Sequence, residues 1–523
     1  MPHAIRLPCD EAAIRSGAAP ATSAPAAREV WVLAATIIGS SLAFIDGTVV
    51  SVALPAIAAE LGAQGADIQW VVEAYALTLS SLLLVGGALG DRFGRRRVYA
   101  LGVALFAAAS IACGVAQSVP WLIAARAVQG VGAALLVPGS LALISASFDP
   151  SRRGQAIGTW SGFSGITAAI GPVLGGWLVA HSWRWAFFIN IPLAAAVLVL
   201  LQRVPESRSP KPRPLDIPGA ALGTIGLAGL VFGLVESSRR GWVDPAVLAG
   251  LAVGLASLAG FVAVEARSAA PMLPLTLFRS RTFLGANLLT LFVYGALSCV
   301  FFFLPLNLIQ VQGYSPLQAG AALLPFIAVL FVLSRWSGGL VARFGPRRPL
   351  LVGPAVAAAG FLLLSLPGVG GSYWGTFFPG MLVLGLGMAV SIAPLTTAVM
   401  NSVSEGEAGI ASGVNNAVSR TAGLLALALL GILFAAVFNG DLEHRVSRLD
   451  LQPAAREQVL AQRAKLAQIQ PPSGLPDRQA SAVRRDVAHS FVAAFHGVAR
   501  AGAVLSLLGA LCAWVWVGRE KPH

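Results

Sequence analysis

Apolar stretches of about 18 residues or more recur from one end of the chain to the other, and each is long enough to cross about 30 Å of hydrocarbon. No other feature constrains the fold as tightly. In hydrocarbon an unpaired backbone amide costs several kcal/mol, so each crossing must be a helix or part of a closed barrel. Runs of this length, without alternation of polar and apolar residues, select the helix. Spans are expected near 30–56, 69–90, 98–117, 121–146, 155–180, 184–202, 217–236, 245–265, 283–311, 317–341, 349–367, 374–400, 408–437 and 490–517. Composition agrees: 56% of the 523 residues are hydrophobic and 11% are charged, too few polar groups to clothe a water-soluble surface.

The net charge of +13 would suggest nucleic acid as a partner in a soluble protein. Here the basic residues fall between spans. With the N-terminus in the cytoplasm, the connections after even-numbered spans carry sixteen Lys and Arg, and the short connections on the other side carry three, Arg184, Arg239 and Arg240. The positive-inside rule therefore puts both termini in the cytoplasm and the chain in the inner (plasma) membrane, with no nucleic-acid partner. The basic residues of 439–489 escape the rule, because long exported loops largely do. Cys9, Cys113, Cys299 and Cys512 make neither a disulfide framework nor a metal spacing.

Residues 1–28 are Ala/Pro-rich without the apolar core of a signal peptide, and are expected to be a disordered cytoplasmic tail. An all-α polytopic protein is expected to follow. Residues 29–203 would form one six-helix half, 204–266 a linker with two inserted helices, and 267–517 a second half including a periplasmic loop at 439–489. Residues 518–523 would be a short tail. The division rests on an internal repeat: GGALGDRFGRRR at 86–97 returns as SGGLVARFGPRR at 337–348. Duplicated halves are the usual construction of secondary transporters.

Several motifs resemble those of the major facilitator superfamily, in particular its fourteen-span drug:proton antiporter branch. Gly87, Leu89, Asp91, Arg92, Gly94, Arg95 and Arg96 match its loop motif between spans 2 and 3; Arg126, Gln129, Gly130 and Gly132 match its fourth-span motif. Gly171, Pro172, Gly175 and Gly176 match the antiporter motif of span 5. FIDGTVVSVALP at 44–55 and WRWAFFINIP at 183–192 are similar to this branch as well. The resemblance implies two six-helix halves plus two inserted helices, alternating access, and proton-driven export of small amphipathic or cationic compounds. It also implies a proton-coupling role for Asp46, a role in proton transfer or gating for Arg126, and a bend at Gly171–Pro172 that separates exporters from importers. A dedicated metabolite or lipid-like carrier on the same fold, or a non-transporting receptor, is the alternative.

Asp46 lies within span 1, where a lone carboxylate costs several kcal/mol unless paired or hydrated, so it is expected to exchange protons. Its blander reading is a cap on a helix broken at Gly47. Glu73 in span 2 is a second acid that would bind a cationic substrate, take a second proton, or snorkel to the interface. Arg126 cannot lose its proton and must find a partner or water. In the basic turn, Asp91 stands among Arg92, Arg95, Arg96 and Arg97 and is expected to latch an inner gate through Arg152 or Arg153; the second copy has Ala342 in its place. Gly162, Gly165, Gly175 and Gly176 are expected to thin one side of span 5 for close packing. Asn415, Asn416 and Arg420 would line the cavity of the second half, and Arg335 would snorkel. His489, His496 and Arg500 are expected on a solvated face, two turns being too far for one ion to bridge the imidazoles. No GxxxxGK[ST], HExxH, GxSxG or CxxC occurs, so an ATP-driven pump, hydrolase or redox enzyme is not indicated. No cofactor or metal is expected. The partners are a small-molecule substrate, protons and lipid, with the chain acting as a monomer, alone or beside a periplasmic adaptor.

Overall fold

The computed structural model describes residues 26–62, 65–209, 216–268, 271 and 273–518. Fourteen long helical segments run in sequence: α1 (Ala26–Leu61), α2 (Gly65–Phe93), α3 (Arg95–Gly114), α4 (Val119–Ser147), α5 (Pro150–His181), α6 (Trp185–Leu201, interrupted at Ile189), α7 (Ile217–Arg240), α8 (Pro245–Arg267), α9 (Arg281–Leu306), α10 (Leu324–Gly338), α11 (Arg347–Leu364), α12 (Phe377–Asn401), α13 (Ala408–Ser447) and α14 (Asp477–Trp516). Among the described residues twelve stretches are long and apolar enough to cross a membrane; the 32-residue α5 and the shorter α6 complete the expected fourteen. Residues 1–25, most of the expected tail, lie outside the described residues, as do 519–523.

Local chemistry sets where helices begin. Asp149, Asp216 and Asp244 each accept hydrogen bonds from backbone N–H groups of the following turn, and a proline follows each within two residues. The Asp149-Pro150 start brings α5 in at residue 150, five residues before its expected limit.

The packing is duplicated. In the first half α1 packs on α5 and α6, α3 on α4 and α6, and α2 on α4. In the second half α9 packs on α13 and α14, α11 on α12 and α14, and α10 on α12, helix for helix the same scheme. The halves then meet through two equivalent seams, α2 against α13 and α5 against α10. α7 and α8 pair with each other and α7 leans on α2 and α13, so the inserted pair flanks one seam.

The repeated basic turn shares its backbone geometry as well as its letters. Gly94 and its counterpart Gly345 both take positive φ, 109° and 71°, which lets the chain turn sharply out of one helix into the next. The loop expected at 439–489 is mostly helix. α13 and α14 are each 40 residues, about 60 Å, roughly twice the hydrocarbon thickness. Their protruding ends enclose a small core of Phe438, Leu442, Val446, Val459, Ile469, Val483 and Val487.

Candidate functional site

Away from the basic turns, α1, α2, α3, α4 and α6 converge on one buried polar knot. Arg126 stands seven residues after the start of α4 at Val119, about 10 Å along the axis. Its Nη1 donates to Asp46 Oδ2 at 2.5 Å and to Gln129 Oε1 at 2.7 Å, and its Nε donates to the Val71 carbonyl at 2.9 Å. Gln129 Nε2 donates to Asp46 Oδ1 at 2.8 Å and to Ser110 Oγ at 2.9 Å. Asn190 Nδ2 reaches Asp46 Oδ1 at 3.3 Å and Ser110 Oγ at 3.2 Å. Asp46, Ser110, Arg126, Gln129 and Asn190 are all fully buried. The ring of Tyr75 lies 4.4 Å from the guanidinium carbon and that of Phe187 lies 5.9 Å away, closing the site with aromatic faces.

The carboxylate of Asp46 is thus paired inside the bundle and is not a lone intramembrane charge. Asp46 and Arg126 form a buried ion pair, and α1 runs unbroken past Gly47, so the acid caps no broken helix. Removing either partner would strand a buried charge, a cost of about 3–5 kcal/mol. Protonating Asp46 would uncouple the pair, because the guanidinium keeps its charge. Ser110 and Asn190 were not singled out from sequence; the polar Asn inside AFFINIP was their one signal.

At the basic end the halves touch at glycines. A Cβ on Gly87 would strike the Gly409 carbonyl, and one on its repeat counterpart Gly338 would strike the Gly154 carbonyl. Asp91 sits beside the first contact. It accepts from the backbone N–H groups of Gly409 at 3.2 Å and Ile410 at 3.1 Å, in the first turn of α13, and pairs with Arg95 at 2.9 Å. Asp91 thus joins the halves through a helix N-terminus, not through the expected Arg152 or Arg153. Arg152 pairs instead with Glu29 at 2.8 Å. Arg153 donates to the Ser145 carbonyl at 2.7 Å and, across the halves, to Asn401 Oδ1 at 3.3 Å. Arg96 donates its backbone N–H to Glu206, and Arg92 lies over the Phe93 ring.

The model of the Major Facilitator Superfamily matches residues 36–439, well over half of the chain. The chain belongs to the major facilitator superfamily. It is 34% identical over 470 residues to the tetracenomycin C resistance and export protein of Streptomyces glaucescens, covering 88% of this chain and 86% of that protein. It is 36% identical over 441 residues to the multidrug resistance protein Stp of Mycobacterium tuberculosis, covering 83% and 81%. The solved proton:xylose symporter XylE of E. coli shares its fold at a TM-score of 0.60 with 15% identity, over 95% of this chain and 97% of that one.

Against this superfamily frame the remaining expectations divide. Gly162 and Gly165 of α5 face Ser334, Phe331 and Leu330 of α10, whereas Gly171 and Gly175 face Thr48 and Val49 of α1, and Gly176 meets nothing. The glycines therefore thin two sides of α5, not one. The side chain of Pro172 lies outside the described residues. Trp183 and Arg184 both bond Glu60, at 2.7 and 2.9 Å, and Arg184 also bonds the carbonyls of Gly114 and Ala116, tying α1 and α3 to the start of α6. Glu73 is not among the side chains that the knot's hydrogen bonds join; it lines a small cleft with Trp70, Leu77, Val231, Phe232 and Val235 between α2 and α7. Asn415 bonds Asn287 and Thr290 on α9, and Arg335 is exposed. His496 is half-buried, its ring bonded to the Pro367 carbonyl at 2.9 Å, while His489 and Arg500 are exposed. Cys113, Cys299 and Cys512 are buried and free.

Proposed function

We propose that the chain is a proton-coupled exporter of small amphipathic compounds, working by alternating access in the inner membrane with both termini in the cytoplasm. The observation that carries this reading is the buried Asp46–Arg126 pair, an intramembrane switch with one partner that takes a proton and one that cannot. Orientation is supported by the concentration of Arg on one end of the bundle, and export by the relatives' description as resistance and export proteins. A preference for cations would need an acid in the seam; Glu73, its candidate, lies against α7 instead.

Packing contacts support a route from the proton to the gate. Protonation of Asp46 loosens α1 from Arg126. α1 is keyed to α5 at Thr48–Gly171 and Val49–Gly175, and α5 carries Gly154 and Gly158 into the seam with α10 at its other end. A shift of α1 is thus delivered to the seam by one continuous helix, as rigid-body rocking requires. Each proton supplies about 2.3 kcal/mol per 100 mV and about 1.36 kcal/mol per pH unit, so one or two support a gradient of a few decades. The test is a screen of toxic amphipathic compounds against a host lacking its own efflux pumps. Wild type should raise resistance to at least one and Asp46→Asn to none; no protection by wild type would refute export, and protection limited to one compound would mark a dedicated carrier.

A further inference from the structure

The buried arginines of the described bundle have partners, and a half-buried one, Arg420, stands apart from them. Arg126 is held by Asp46, Arg95 by Asp91, and Arg153 by the Ser145 carbonyl. Arg420, half-buried in α13, makes no hydrogen bond or ion pair among the described residues. A guanidinium cannot discharge itself, and an uncompensated one inside a membrane bundle is costly.

The seam shows where this side chain stands. α2 and α13 run antiparallel, with Gly87 against Gly409 and Leu83 against Gly413. Arg420 follows Gly409 by eleven residues, three turns on the same face, which brings it level with Tyr75 and Ala76 of α2. Tyr75 is 6% exposed and its hydroxyl has no partner, while its ring is fixed over Arg126. No ion pair joins Arg420 to a carboxylate among the described residues, and Glu73 on α2 lines the cleft with α7. On its own helix, Asn416 spends its amide on Ser412.

We infer that Arg420 and the Tyr75 hydroxyl form an anion subsite in the seam between the halves, which takes the ionised carboxylate of an amphipathic organic acid. A planar carboxylate matches the guanidinium fork, and the phenolic O–H supplies a further donor. The inference rests on the transporter reading and narrows it to acidic substrates, the opposite charge from the one first expected.

The test is equilibrium binding of three anthracene probes to the purified full chain in lipid nanodiscs at neutral pH: the 2-carboxylate, the 2-carboxamide and the 2-aminomethyl cation. Wild type should bind the carboxylate roughly tenfold or more tightly than the amide, and the cation more weakly than either. Arg420→Gln should abolish the preference for carboxylate over amide while leaving amide binding within roughly twofold. Arg420→Lys should keep part of it, and Tyr75→Phe should weaken the carboxylate alone. Equal binding of carboxylate and amide by wild type, tighter binding of the cation, or parallel loss of carboxylate and amide in Arg420→Gln would overturn the subsite. The measurement needs no gradient, so it can succeed or fail independently of export and proton coupling.

Discussion

Replacing Asp91 with Asn tests the latch at the basic end. The carboxylate accepts two backbone N–H groups from the first turn of α13 and carries the charge that balances buried Arg95. Asn keeps one acceptor oxygen and loses the charge. A hydrogen bond to a charged group contributes about 1.5–3 kcal/mol against about 0.5–1.5 for a neutral one, so two bonds weakened in this way amount to about 2–3 kcal/mol. That shifts the equilibrium between the closed and open basic end by roughly 30- to 150-fold toward open. Spin labels at Arg97 and its repeat counterpart Arg348, both exposed and in opposite halves, report the separation. Wild type should show mainly the short distance. Asp91→Asn should populate the long one and transport at least tenfold more slowly, with normal amounts of protein in the membrane. An unchanged distance distribution with unchanged transport would refute the latch and return the acid to a local pairing with Arg95.

Two further outcomes follow from the same geometry. Gly338→Ala or Gly154→Ala places a methyl group against a backbone carbonyl of the other half, where no flexible side chain can yield; transport should be lost while insertion is kept, measured by uptake into inverted vesicles beside immunoblots. Arg126→Gln strands Asp46 and should lower thermal stability by about 3–5 kcal/mol. The double variant Arg126→Gln, Asp46→Asn should recover much of that loss in a thermal unfolding assay without recovering transport.

The fold was legible because hydrocarbon leaves so few options. Apolar runs gave the helices, and the Gly-Arg repeat gave the duplicated halves; the structure then showed Gly87 and Gly338 in equivalent seams. The partners within the site were not legible. Asp46 and Arg126 lie eighty residues apart, and hydropathy says how long a helix is but not how it is rotated or how deep it sits. Ser110 and Asn190 lie in largely apolar stretches, and small polar residues are common there. The Asp91 partners escaped notice for a different reason: they are main-chain N–H groups at a helix start, which no side-chain letter announces. The length of α13 and α14 was underestimated because their protruding ends are polar outside, with a thin apolar stripe within.

The central claim is that a proton on Asp46 drives the cycle. It is tested most directly in proteoliposomes containing a pH-sensitive dye, with a compound to which the chain confers resistance added on the basic-end side. Wild type should move protons against the compound in a fixed ratio, whereas Asp46→Asn should still exchange the compound down its gradient and move no protons. Proton movement by Asp46→Asn at the wild-type ratio would contradict the account.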